Sequence, residues 1–179
     1  MDQTLEAILA AGVDLVNGRP LPDTEDEPVR QLTEKLLLDL GHAKERIGVD
    51  ASRSLALEGR ELTVVADLLV SLAGRAAMVL HCRRGSLISR EREAVAIARL
   101  ISEHLAPLTV VTNSEDAEII DAASGQVIAR GIGSIPGPAE LARHLAGHPP
   151  RKTPDSQYKQ AARIYEAYFT LQCHWQCET

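Results

Sequence analysis

The sequence predicts an α/β domain, a mixed β-sheet with helices on both faces. Three observations lead there. Amphipathic runs of helical period alternate with apolar strand-like runs in the order helix, three strands, helix, strand, hairpin, helix. Hydrophobic residues make up 45% and charged residues 25% of 179, the composition of a globular chain with room for one cored domain and added helices. The aromatics Tyr158, Tyr165, Tyr168, Phe169 and Trp175 all lie near the C-terminus, so the core before them is built from Leu, Ile, Val and Ala.

The elements follow in order. Leu5, Ile8, Leu9, Gly12, Val13 and Val16 recur at helical spacing, predicting a helix over 3–16 that Asn17-Gly18 ends. Thr24, followed three residues later by Glu27, has the form of a helix cap. The helix it opens turns Val29, Leu32, Leu36 and Leu40 to one face and stops at Gly41. Two strands, 46–57 and 61–72, meet at the turn Glu58-Gly59, and a third runs from Ala76 to Arg83. Ser89 is placed to cap a helix over 90–104 with Ala94, Val95, Ala98, Ile101 and Leu105 buried. Leu108–Thr112 is a buried strand, and 118–121 with 126–129 a hairpin. Pro136-Gly137-Pro138 leads into a short helix ending near Gly147, and the last helix spans Asp155 to Trp175. The organisation expected is an N-terminal helix and linker (1–22), the main domain (23–147), and a linker with the aromatic helix (148–179).

Composition bears on function. A formal net charge of −6 argues against binding nucleic acid through the overall field but leaves room for a local basic patch. The main domain has no aromatic platform on which bases could stack. Three cysteines form no disulfide framework, no run approaches the ~20 apolar residues of a membrane span, and no basic leader precedes an apolar one, so a cytoplasmic protein is expected.

Several local runs resemble the N-terminal domain of type I restriction enzyme R subunits, a branch of the restriction-endonuclease-like fold. They are Glu27-Pro28-Val29-Arg30-Gln31, Leu40-Gly41-His42-Ala43-Lys44, Val65-Ala66-Asp67-Leu68-Leu69-Val70 and Leu108-Thr109-Val110-Val111-Thr112-Asn113, and the resemblance covers about Glu27 to Ile135. It implies a PD-(D/E)xK site, in which an Asp on one strand and a Glu-x-Lys on the next hold Mg²⁺ and activate water. Asp67 stands at the Asp position. The Glu-x-Lys position reads His81-Cys82-Arg83, and the family's later Gln and Tyr fall at about Ala96 and Leu100. The resemblance thus assigns Asp67, His81 and Arg83 to the catalytic groove of a degenerate site. A softer ligand such as His81 suits Mn²⁺ better than Mg²⁺, and Glu91 or Glu93 from the following helix is the candidate replacement carboxylate. Glu27 has two readings, a cap partner of Thr24 or a metal-side residue of the family's first helix.

The segment 83–92 carries four arginines around a Gly-Ser turn. Arg84, Ser86, Ser89, Arg90 and Arg92 form a candidate phosphate contact at a helix start, or a solvated helix start with surface ion pairs. Cys82 faces away from His81 and Arg83 on a strand and is expected in the core; Cys173 and Cys177 are expected to be incidental. Three functions follow. The first is a nucleic-acid- or anion-binding module, with DNA as partner and cleavage lost or weakened. The second is an active nuclease using Asp67, His81 and Glu91 or Glu93 with Mg²⁺ or Mn²⁺. The third is a partner-binding protein, for instance a homodimer, that uses the aromatic helix. The chain has no Gly-x-x-x-x-Gly-Lys-Ser/Thr loop, so it carries no translocation motor of its own.

Overall fold

The computed structural model describes residues 3–57 and 59–176, with side chains at 5–57 and 59–170. Glu58 and Cys177, and the side chains of Cys173 and Trp175, lie outside the described residues. Six strands form one mixed sheet in sequential order: β1 (Ile47–Leu57), β2 (Arg60–Leu72), β3 (Arg75–Cys82), β4 (Leu108–Thr112), β5 (Ala117–Asp121) and β6 (Gln126–Arg130). The first three are an antiparallel meander and the last three are antiparallel again. Only β3 and β4 run parallel, which requires a crossover, and α3 (Glu91–Leu100) supplies it.

Helices cover both faces, as expected. On one, α2 (Glu27–Asp39) and α4 (Pro138–Ala146) pack Val29, Leu37, Leu141 and Leu145 against Leu68, Met78, Leu80 and Val110. On the other, α3 and α5 (Asp155–Gln176) pack Ile97, Leu100, Ala161, Ala162 and Tyr165 against Val64, Ala66 and Val79. β4 is buried along its whole length, the pattern of a central strand covered on both sides. The aromatic helix docks on its own domain: Tyr165 is buried, and its hydroxyl accepts from Val65 N at 3.0 Å.

Five expectations need correction. α1 (Gln3–Ala11) stops well short of residue 16. Gly12 takes φ 66°, and the Asp14 carboxylate accepts from Val16 N and Asn17 N, so a local turn replaces further helix. The α2 cap does not form, because Thr24 is exposed and Asp26 holds the N-cap position without a side-chain cap bond. The packed face of α2 is Val29, Thr33 and Leu37; Leu40 is the C-cap and is 37% exposed. Ser89 does not cap α3 either. It lies within the 3-10 turn Ile88–Arg90, where its hydroxyl donates to Ser86 O at 2.9 Å. α3 also ends four residues early. Arg53 donates to the carbonyls of Leu100 and Ser102, satisfying acceptors that a longer helix would have used.

The end of α2 behaves as read. Gly41 takes φ 92°, its N–H donates to Leu38 O, and His42 N donates to Leu37 O, a Schellman termination.

Candidate active site

Asp67 on β2 and His81 on β3 lie opposite one another, one residue beyond the Leu68–Leu80 pair of the antiparallel register. A strand turns alternate side chains to alternate faces. Cys82 therefore points into the α2 core, where it is 1% exposed and burial pushes its thiol pKa far up, the core cysteine that was expected. His81 points to the α3 face. The first turn of α3 sits above it and contributes Glu93.

The result is a carboxylate–imidazole–carboxylate bridge. His81 Nδ1 is 3.1 Å from Asp67 Oδ2, and His81 Nε2 is 3.1 Å from Glu93 Oε2. The imidazole is fully buried and Glu93 is 3% exposed. Each pair lies within hydrogen-bond distance although the alignment is not ideal, so charge attraction adds to the hydrogen bonding. With an acceptor at each nitrogen, the doubly protonated ring fits and a neutral one does not. Burial and the nearby Arg83 charge push the His81 pKa down, but Asp67 and Glu93 outweigh both and hold it above the ordinary value. Burial likewise opposes ionisation of Asp67 and Glu93, yet His81 and Arg83 hold both below the usual carboxylate range.

Two arginines complete the network. Asp67 Oδ2 also accepts from Arg83 Nη1 and from Cys82 N, both at 2.8 Å. Arg83 Nε lies 3.7 Å from Asp26 at the start of α2, and Arg90 Nη1 lies 3.3 Å from Glu93 Oε2. Two carboxylates thus meet an imidazolium and two guanidiniums, and the space between the carboxylates is filled by the ring.

These residues do not fit a hard divalent cation, which needs several open oxygen ligands. Among the described residues no group of three His, Cys, Asp or Glu is arranged to hold a metal.

The sequence-predicted residues separate into groups. Asp67, His81, Arg83, Glu93 and Arg90 converge. Glu91 is not part of this network. It turns toward Glu118 of β5, and burial together with that carboxylate pushes its pKa up. Arg84 and Arg92 are exposed, Arg84 with its N–H on Asp26 Oδ1 and its guanidinium 3.7 Å from Glu25. Ser86 and Ser89 are exposed turn residues, and the Ser89 carbonyl accepts from the Tyr168 hydroxyl.

Glu27 is neither a cap nor part of the Asp67 network. It is 5% exposed and makes a bidentate pair with Arg30, Nη2 to Oε1 at 2.8 Å and Nε to Oε2 at 3.1 Å. Arg30 also lies 3.2 Å from Asp14, 3.6 Å from Glu34 and 3.6 Å from Asp50, and the Gln31 amide donates to Asp14, Glu27 and Glu34. Sequence reasoning missed this buried cluster beneath α1 and α2. Its traces in the chain are the family-like run Glu27-Pro28-Val29-Arg30-Gln31 and the i, i+3, i+4, i+7 spacing of Glu27, Arg30, Gln31 and Glu34, which reads equally well as a solvated face.

Among the described residues no helix is long and apolar enough to cross a membrane. No curated protein and no solved structure gives a significant match to the chain. Residues 25–136, which hold α2, all six strands and α3, match the family described as type I restriction enzyme R protein N terminus (HSDR_N). The chain, with its six-stranded mixed sheet flanked by helices, therefore belongs to that family and is a restriction-endonuclease-like, nuclease-like domain.

Proposed function

We propose that this domain has given up metal-dependent cleavage and works as a nucleic-acid-binding module. The observation that carries this reading is the His81 ring lodged between Asp67 and Glu93, 3.1 Å from each. A metal nuclease uses its paired carboxylates to collect a divalent cation. Here the protein supplies the positive charge itself, through His81 and with help from Arg83. A metal entering this site would have to displace a fully buried ring and overcome the field of the adjacent guanidinium. Arg83 stays protonated at any ordinary pH and offers no base to activate water.

Binding rests on the neighbouring basic segment. Arg84 and Arg92 present exposed guanidiniums on either side of the turn that opens α3, and guanidiniums suit phosphate oxygens. DNA is the partner this family membership favours. The test has two arms. Plasmid DNA incubated with the protein and Mg²⁺ or Mn²⁺ stays intact. Duplex binding at low salt weakens as salt rises, and Arg84→Ala or Arg92→Ala each lowers the salt slope by about 1. Metal-dependent nicking that disappears in Asp67→Ala overturns the loss of cleavage, and absence of binding at low salt overturns the binding reading.

One observation favours the second reading, an active nuclease with a rearranged site using Mn²⁺. Glu93 does bring a replacement carboxylate from the following helix to the Asp67 site. The nicking arm distinguishes the two.

A further inference from the structure

On the α3 face, α3, α5 and the turn between β5 and β6 line a cleft of about 530 Å³ that includes none of Asp67, His81 and Glu93. That falls within the ~300–1,000 Å³ of small-ligand sites. Small buried side chains, Ala96 and Ala161, line it. Its walls are two helical stripes of different chemistry. α3 contributes Arg92 and Arg99, seven residues apart on one face. α5 contributes Gln157 and Gln160.

The polar groups of these walls are under-used. The Arg99 guanidinium is fixed in place by donating from Nε to Ala122 O at 2.9 Å and from Nη2 to Ala123 O at 3.0 Å. Both hydrogen-bond partners are neutral carbonyls; the Asp121 carboxylate acts on Arg99 only through its charge, and burial outweighs it and pulls the Arg99 pKa below the ordinary arginine value. Arg92 is exposed, and the Gln157 and Gln160 amides have no protein partner among the described residues. Glu91 also lines the cleft; burial and Glu118 push its pKa up, against the opposing charges of Arg130 and Arg92.

We propose that this cleft binds a purine nucleotide, with the phosphate on Arg92 and Arg99 and the base edge read by Gln157 and Gln160. Each amide offers a donor and an acceptor side by side, the arrangement that matches the N6/N7 edge of adenine. The apolar floor, Val95, Ala96, Ala161 and Ile164, receives the base face. The nucleotide is either free or part of a strand. The cleft goes beyond the binding function proposed above, with which it shares Arg92 alone.

Calorimetric titration of the full chain with AMP, inorganic phosphate, UMP and a short single-stranded oligo(dA) tests it. AMP binds saturably and more tightly than UMP or phosphate. Gln157→Ala with Gln160→Ala weakens AMP about tenfold and leaves phosphate unchanged, while Arg92→Ala weakens both. Alanine is a good helix former, so α5 persists, and an unchanged circular-dichroism melt verifies this. Oligo(dA) that binds no more tightly than AMP assigns the cleft to free nucleotide, and oligo(dA) that binds at least tenfold more tightly assigns it to a strand. Arg84→Ala, which weakens duplex binding under the reading above, leaves AMP binding unchanged, so the two proposals fail separately. No saturable AMP binding, or AMP binding indifferent to the glutamine pair, overturns the proposal.

Discussion

At the scale of single residues the chain keeps charge in its interior, and that has measurable costs. Removing one member of a buried ion network leaves the others uncompensated, which typically costs about 3–5 kcal/mol. His81→Ala, which leaves Asp67 to Arg83 and Glu93 to Arg90, is expected to lower stability by about 3 kcal/mol, the lower end of that range, in urea unfolding; a change under ~1 kcal/mol would mean the bridge carries no weight. The pH dependence follows from the signs of the shifts. The His81 pKa is raised, so its contribution is complete below the unfolded value of 6.5 and is lost as pH rises through the folded value. Those of Asp67 and Glu93 are lowered, so their contributions are present above the ordinary 3.8 and 4.5 and are lost as pH falls through the folded values. Glu34 adds to the alkaline loss. Burial and the neighbouring Asp14 push its pKa up to about 8, so the stability held below 4.5 is lost progressively up to that value. Glu34→Gln, neutral at every pH, should therefore unfold at a higher urea concentration than wild type at alkaline pH, with the gap narrowing as pH falls and closing only below about 4.5. Parallel pH profiles for the two would contradict the assignment.

The elements show which signals a sequence carries and which it conceals. The strands and the α2 terminus were legible because period-2 burial and the glycine after a helix are local rules. Gly41 shows this, since no atom lies within 4 Å of where a Cβ would stand. Gly41→Ala should then cost about 1 kcal/mol from its left-handed backbone alone, readable as a lower thermal midpoint. The ends of α1 and α3 were misread because tertiary partners decide them. Asp14 turns the chain after α1, and Arg53, distant in sequence, takes the carbonyls at the end of α3. The polar face of α2 was invisible for another reason: charged residues at helical spacing look solvated unless the chain that covers them is known. α5 makes a further prediction. Tyr165→Phe removes the acceptor of Val65 N–H in the middle of β2, and a loss of about 1–3 kcal/mol is expected in chemical denaturation.

For the whole molecule, the site was legible in its members and illegible in its meaning. The resemblance located Asp67, His81 and Arg83, and Glu93 was already a candidate carboxylate. What the chain could not reveal is that both ring nitrogens of His81 face carboxylates, because that depends on how the first turn of α3 sits over the end of β3. The sheet brings strand and helix together so that an acidic protein holds a self-neutralised core beneath an arginine-bearing turn. The most direct measurement is the protonation of that ring, followed by nitrogen-15 NMR of labelled histidine in the intact chain at neutral pH, before and after adding Mg²⁺. The expected result is an imidazolium with both nitrogens protonated and signals that Mg²⁺ leaves in place. A neutral His81 ring, or one whose nitrogen shifts move as the metal binds, would contradict it.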